Sequence, residues 1–381
     1  MNAAPRNVHV MAARRTAVAP RNGAFGKIEV SDLAAPVIDA LLQDSGIAAG
    51  RIDHVLMGNA LYGGGNPARV AALAAGLDPS IPANTLDSQC CAGLDAIIFG
   101  ASLVASGQAD VVIAGGVESY SRSPLRARRP REPGEAPAPY LRPPFTPWPD
   151  ADPDMIEAAA SLAVQLKLSR RAQEEFAVES HNKAMATMEQ NAGERVEIAG
   201  LSRDAFSRHL SEAACRRLPL VAGSEDAGLT PATVAVEADA AAAVLLASDE
   251  ALAGSGSKYR PVRIVRGRAG GGDPLRPGLV PIAVAQALLR ETGTASDELC
   301  AVEVMEAFAV QAMAFIDVLQ LSPAIVNRGG GALSRGHPIG ASGAILAVRL
   351  FHELQPSSEG ARGLAAIAAA GGLGSALLLQ V

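Results

Sequence analysis

The sequence predicts an α/β protein assembled from two similar halves. Apolar runs of strand length alternate with longer apolar or amphipathic runs of helix length. Each half closes the same way, with a buried strand running into a glycine turn. In the first half this is Val111-Val112-Ile113-Ala114-Gly115-Gly116. In the second it is Gly363 to Ala370 followed by Gly371-Gly372-Leu373-Gly374. The size agrees, since 381 residues at 49% hydrophobic and 19% charged can fill two fused cores.

The elements follow in order. Asn7 to Ala13 reads as a strand, Val30 to Ser45 as an amphipathic helix and His54 to Met57 as a short strand. Cys91 to Ser106 is apolar and rich in small residues over helix length, which predicts a buried helix with Cys90 at its N-terminus. In the second half Val280 to Thr292 predicts a helix, Ala301 to Val304 a strand, and Phe308 to Leu319 and Gly343 to Leu354 two further helices. Between the halves, Ser121 to Asp154 is rich in Pro and Arg with little periodicity, and its composition fits a solvated or disordered surface loop. Met155 to Asn191 reads as two helices broken near Leu168-Ser169, with Ser169 as the cap of the second. The bounds drawn are 1–120 and 241–381 for the halves and 121–240 for an insert lying over one face of the core.

The bulk numbers exclude several functions. A net charge of -6 gives a nucleic-acid partner no electrostatic support. No apolar run is long enough to span a bilayer, and Met1 to Arg15 lacks the apolar core of a signal peptide. Four cysteines in a chain of this length do not make a disulfide framework, so a reducing cytoplasm is the simplest compartment. No Cys/His pairs stand at ligand spacing, so no metal is expected.

The chemistry concentrates in two segments. Gly336-His337-Pro338-Ile339-Gly340-Ala341-Ser342-Gly343 presents one histidine in a tight turn where glycines leave room for a ligand. Far upstream stands Asp87-Ser88-Gln89-Cys90-Cys91-Ala92-Gly93-Leu94. A thiol and a remote imidazole are the minimum equipment for covalent acyl transfer. A helix N-terminus at Cys90 favours thiolate over thiol, and its free N–H can serve a tetrahedral oxyanion.

With these two segments go Gly65-Asn66-Pro67-Ala68-Arg69, Ala114-Gly115-Gly116-Val117-Glu118-Ser119, Leu168-Ser169-Arg170, Phe176 to Ala184, and Glu306-Ala307-Phe308. In this order, nearly end to end, the chain resembles the thiolases, enzymes that make or cleave 3-ketoacyl-CoA. The resemblance implies duplicated βαβαβαββ halves, five-stranded mixed sheets around central helices in αβαβα layers, and a loop domain. It implies that Cys90 takes the acyl group and that His337 activates the thiol and hydrogen-bonds the thioester oxygen. Ala370 and Gly371 fall in the oxyanion turn, and Met155, Ala235, Phe308 and Ser342 at substrate or CoA contacts. Coenzyme A is then substrate and product, with no covalently held cofactor. A homodimer or homotetramer and a place in fatty acid metabolism are also implied.

Three departures accompany the resemblance. Ala368 stands where a thiolase has its second cysteine, the acid/base for the α-carbon. Met305 stands where an asparagine holds a water in the oxyanion hole for carbon–carbon bond formation. Thr233 to Asp239 replaces a polar CoA-touching stretch, with Ala235 at its serine position, ahead of the alanine-rich Ala240 to Ala243 that the family folds as a helix. A positioned acid/base is worth about 10²–10⁴-fold and an oxyanion donor about 10²–10³-fold. Acylation of Cys90 needs neither group, so the first half-reaction stands while Claisen condensation is in doubt. Glu306 and Cys91 are the nearest substitute bases by motif position, although Glu306 also reads as a structural carboxylate and Cys91, where the family has glycine, as a space-filling thiol. Arg122, Arg126, Arg128, Arg129 and Arg131 read either as a landing site for CoA phosphates or as a solvated loop. The alternative to an acyltransferase is a catalytically degenerate CoA-binding or scaffolding subunit that pairs with a thiolase-like partner chain. A decarboxylative or hydrolytic condensing enzyme ranks last, because Met305 occupies its partner position.

Overall fold

The computed structural model describes residues 6–381 except Gly63. The first five residues of the Met1 to Arg15 stretch therefore lie outside the described residues. Five strands of the N-terminal half lie on the main sheet path: β1 (Val8–Thr16), β2 (His54–Gly58), β3 (Ala83–Leu86), β4 (Val111–Ser119) and β5 (Ala238–Ser248). The C-terminal half contributes β6 (Val262–Gly271), β7 (Leu299–Val304), β8 (Arg362–Ala369) and β9 (Leu373–Gln380). Among the described residues the main path runs β7-β8-β9-β6-β1-β5-β4-β2-β3. The two sheets join through β1 and β6, which share only the pairs His9↔Arg263 and Val10↔Val262. The α/β class is as expected. The C-terminal half places four strands on this path, with Val326 bridging Val302 of β7 in parallel beside them, and β5, which contains position 241, pairs with β1 and β4 of the first sheet.

The strand β5 corrects a second expectation. Its alanine run Ala240 to Ala243 is strand interior, not the start of a helix. All eleven residues of β5 are buried. Ala240, Ala242, Val244 and Leu246 enter the central core, while Ala241, Ala243, Leu245 and Ala247 enter the outer one. A strand covered on both faces shows no polar alternation, so neither period nor alanine's helix propensity reveals it. Gly115 of β4 pairs with Ala243 in the sheet, and a Cβ on Gly115 would collide with the Ala242 carbonyl.

Helices complete five layers. The helices α1 (Val30–Ser45) and α2 (Pro67–Ala74) cover the outer face of the N-terminal sheet. The central helix α3 (Ala92–Ala105) lies between the sheets. In the insert, α4 (Met155–Gln165) is capped by Asp154, whose side chain accepts from Ile156 N. The break at Leu168-Ser169 is real, with Ser169 Oγ accepting from Ala172 N to open α5 (Arg170–Ala186). The outer C-terminal layer is α6 (Val280–Thr292) and α7 (Ala309–Val318). The second central helix, α8, runs Ile339–Leu354 and starts one turn earlier than Gly343, on Pro338 as its cap.

The insert is docked by buried charge. Arg15 on β1 bonds both oxygens of Asp204, at 2.7 and 2.9 Å, and Glu194 at 2.8 Å. Arg349 on α8 reaches the same Glu194 at 2.6 Å. Burial opposes charge on Glu194, but the Arg349 and Arg15 guanidiniums overcome it and hold the carboxyl well below the usual range. The Pro- and Arg-rich part, Ser121 to Asp154, is mostly exposed and carries a short hairpin, Ala127–Arg128 against Ala138–Pro139. Of the five arginines singled out there, three are engaged: Arg122 with Glu29, Arg126 with the carbonyls of Ala60 and Leu61, and Arg128 over the Tyr140 ring.

The central helices touch at their first turns. A Cβ on Gly93 would lie 2.6 Å from the Gly340 carbonyl oxygen, and one on Gly343 would lie 2.6 Å from Leu94 N. Gly93→Ala is therefore expected to lower stability by about 1–3 kcal/mol through overpacking. It should appear as a lower urea midpoint at unchanged m, while Gly50→Ala, with nothing within 4 Å, stays at the wild-type midpoint. A wild-type midpoint for Gly93→Ala would show that the helices are not in backbone contact.

Candidate active site

The strand β3 ends at Leu86, and the chain turns through Asp87 and Ser88. Gln89 then adopts a left-handed backbone, φ 56°, rare outside glycine, with its N–H donated to Asp87 Oδ1 at 2.9 Å. This bend places Cys90 in a single 3₁₀ turn, Gln89–Cys91, that continues into α3. Across the molecule Gly336, φ 114°, delivers His337, whose N–H donates to Val236 O at 2.8 Å. The two side chains meet, with His337 Nε2 3.2 Å from Cys90 Sγ across 247 residues of chain.

The other face of the imidazole sets its tautomer. His337 Nδ1 lies 2.6 Å from Ser342 Oγ, and that hydroxyl donates its proton to Pro338 O at 3.2 Å. The hydroxyl must then accept from Nδ1–H, which leaves the lone pair of Nε2 facing the thiol. Ser342, expected at a CoA contact, is thus engaged with His337 from the first turn of α8.

Burial governs both charges. It pushes the Cys90 thiol up to about 12, against the backbone N–H groups of Cys90 and Ala370 that point at the sulfur, with Glu118 and Asp87 adding to the rise. It lowers His337 to about 4. The thiolate expected from a helix N-terminus is therefore corrected: desolvation outweighs the helix end, and the resting pair is a neutral thiol beside a neutral imidazole. Cys90 remains half-buried rather than sealed. The N–H groups of Cys90 and Ala370, one from each half, thus both act on the sulfur.

Glu118, part of the β4 motif but not singled out as functional, ties the site together. It is fully buried and accepts from Ala60 N, Gly340 N and Asn59 Nδ2, at 2.9, 2.9 and 2.8 Å. Burial pushes it up to about 7. The available sequence signal was a carboxylate in an otherwise apolar strand, since such a group is kept buried only with partners. Ala235, Phe308 and His337 also come together, because Thr233 to Glu237 runs beside both segments: Ala235 N donates to Ala307 O, Val234 bridges Phe308 and Glu237 bridges His337. Met155 and Phe308 line one small cavity with Leu162, Val310 and Gln311. Gly371, φ 79°, forms the hairpin tip, and a Cβ there would lie 3.0 Å from Phe145 O, so the insert does cover this turn.

The two substitute bases are not brought to the thiol. Glu306 is buried and held by Ser180 Oγ at 2.7 Å, Asn327 Nδ2 at 2.6 Å and Leu333 N at 3.2 Å. It faces a separate cavity between α5 and α7 whose walls include Lys183 and Met313 but not Cys90. Cys91 is fully buried and donates from Sγ to Ile367 O at 3.6 Å, inside the central core. Met305, 1% exposed, and Ala368, 7% exposed, leave apolar surface at their positions. Among the described residues no group of three His, Cys, Asp or Glu is placed to hold a metal, and no helix is long and apolar enough to cross a membrane.

Comparison with known proteins agrees with this geometry. The family model for the N-terminal domain of thiolase matches residues 8–250 and that for the C-terminal domain matches 260–381. The chain is 36% identical over 385 residues to the putative acetyl-CoA C-acetyltransferase YhfS of Bacillus subtilis, covering 98% of this chain and 99% of that protein. It is 35% identical to an acetyl-CoA acetyltransferase of Pseudomonas aeruginosa over 394 residues, covering 98% and 99%. Among solved structures it is similar to the acetyl-CoA acetyltransferase of Bacillus anthracis, with TM-score 0.90, 28% identity and 100% of both chains covered. It is also similar to human mitochondrial 3-ketoacyl-CoA thiolase in complex with CoA, with TM-score 0.89, 28% identity and 98% of each chain covered.

The neutral pair predicts a pH profile. With His337 depressed to about 4, its capacity to take a proton is lost only as pH falls through that value. The rate of Cys90 modification by an acyl thioester should stay level down to about pH 5, where an unperturbed histidine would already fall near 6.5. His337→Ala should cost about 10²–10⁴-fold. Ser342→Ala, which frees the ring to take the wrong tautomer, should cost about 10–10²-fold. A rate that drops by half near pH 6.5 would contradict the depressed imidazole.

Proposed function

The chain belongs to the thiolase family, and on that premise we propose that it is an acyltransferase that draws an acyl group from acyl-CoA onto Cys90 as a thioester. The observation that carries the proposal is the 3.2 Å approach of His337 Nε2 to Cys90 Sγ. His337 takes the thiol proton as sulfur attacks the thioester carbon. The N–H groups of Cys90 and Ala370 receive the developing oxyanion. On collapse the bond to CoA sulfur breaks, and His337 returns its proton to the departing CoA thiolate.

The second half-reaction depends on the acceptor. An acceptor that brings its own acidic proton, a thiol or water, needs only His337. An acyl-CoA attacking through carbon needs a base at its α-carbon. Ala368 and Met305 supply neither base nor water anchor, while Glu306 and Cys91 face elsewhere. The proposed activity is therefore acyl transfer through Cys90 with condensation and its reverse impaired. The same two positions favour the second reading, a CoA-binding or scaffolding subunit beside a thiolase-like partner. A second copy of this chain is supported as partner by β3, the strand at the open end of the N-terminal sheet.

Intact mass after mixing with acetyl-CoA separates the readings. An acetyl adduct present in wild type and absent in Cys90→Ala is expected, and no adduct with any acyl-CoA tried would leave the scaffolding reading. Restoring the acid/base is the sharper test. Ala368→Cys together with Met305→Asn should raise acetoacetyl-CoA formation from acetyl-CoA by about 10²-fold or more. Wild type condensing as fast as the double variant would show that another group holds that role.

A further inference from the structure

We propose that Asp95 is a positioning residue that assembles the oxyanion hole from the two halves of the chain. The proposal rests on the reading that Cys90 is acylated. The hole needs one N–H from the start of α3, at Cys90, and one from the tip of the β8–β9 hairpin, at Ala370. These groups are 280 residues apart in sequence, so something must fix their separation.

Asp95 lies in the first turn of α3, 6% exposed, and both of its oxygens are used. Ser88 Oγ, two residues before the nucleophile, donates to Oδ2 at 2.5 Å. Ser375 Oγ, on β9, donates to Oδ1 at 2.5 Å. In the hairpin register Ser375 pairs with Ile367, and Ile367 O accepts from Cys91 Sγ at 3.6 Å. One rung of the hairpin is thus gripped through both of its strands by the first turn of α3. The remaining pairs, Ala368↔Gly374 and Ala369↔Leu373, lead directly to the tip that carries Ala370. A carboxylate is unfavourable in this core unless its bonds are required. Here the bonds connect the nucleophile segment to the hairpin and connect nothing else.

The clamp predicts a split that a purely structural role would not give. Acylation by acetyl-CoA passes through an oxyanion, whereas alkylation by iodoacetamide needs only the thiol and its base. In Asp95→Ala the acylation rate, read by quench and intact mass, should fall by about 10²-fold. Iodoacetamide alkylation of Cys90 should stay within about threefold of wild type. Asp95→Asn should recover most of the acylation, because an amide can accept from one serine and donate to the other. Should Asp95→Ala not fold, Ser375→Ala removes one arm and should lower the ratio of acylation to alkylation by about tenfold. Wild type that takes no acyl group would overturn the reading of Cys90. Wild type that acylates while the variants match it, or variants that lose both reactions in equal measure, would overturn the clamp.

Discussion

The site depends on one backbone contact, the meeting of the first turns of α3 and α8 at Gly93 and Gly343. Each glycine sits where a side chain would strike the backbone of the other helix. Because the helices touch there, the residues just ahead of them, Cys90 and His337, are neighbours as well. Their separation is inherited from backbone packing, which is stiffer than any pair of flexible side chains. Glu118 reinforces the arrangement by bonding the loop after β2 and the start of α8 with one carboxylate.

The same packing explains the electrostatics. The start of α3 stands at the sulfur, which alone would favour a thiolate. The site is dry enough that burial wins for both partners, raising the thiol and lowering the imidazole. In the proposed acylation a neutral pair separates charge only as the carbonyl is attacked. The donors proposed to meet that charge come from the backbone of both halves, so side-chain changes at Met305 and Ala368 leave them in place.

Much of this was legible from residues alone. The helices Val30–Ser45 and Val280–Thr292 fall on the expected bounds, because one apolar stripe and a following glycine mark each of them. His337 was legible because glycines frame it, and Cys90 because it opens an apolar, small-residue run of helix length. β5 was not, since burial on both faces erases the alternation that marks a strand and leaves a run of alanines. The role of Ser342 needed the early start of α8, and the resting state of Cys90 needed the degree of burial, neither of which spacing records. Glu306 and Cys91 were drawn to the site by motif position, but Ser180, Asn327 and Leu333 take up the first and the core the second.

The division of the site between distant segments has a consequence for synthesis. A ribosome releases the thiol some 247 positions before the imidazole that hydrogen-bonds it. Until the later half docks, the sulfur lacks both the imidazole of His337 and the amide of Ala370. The complete thiol–imidazole pair therefore arises only once both halves have closed on each other.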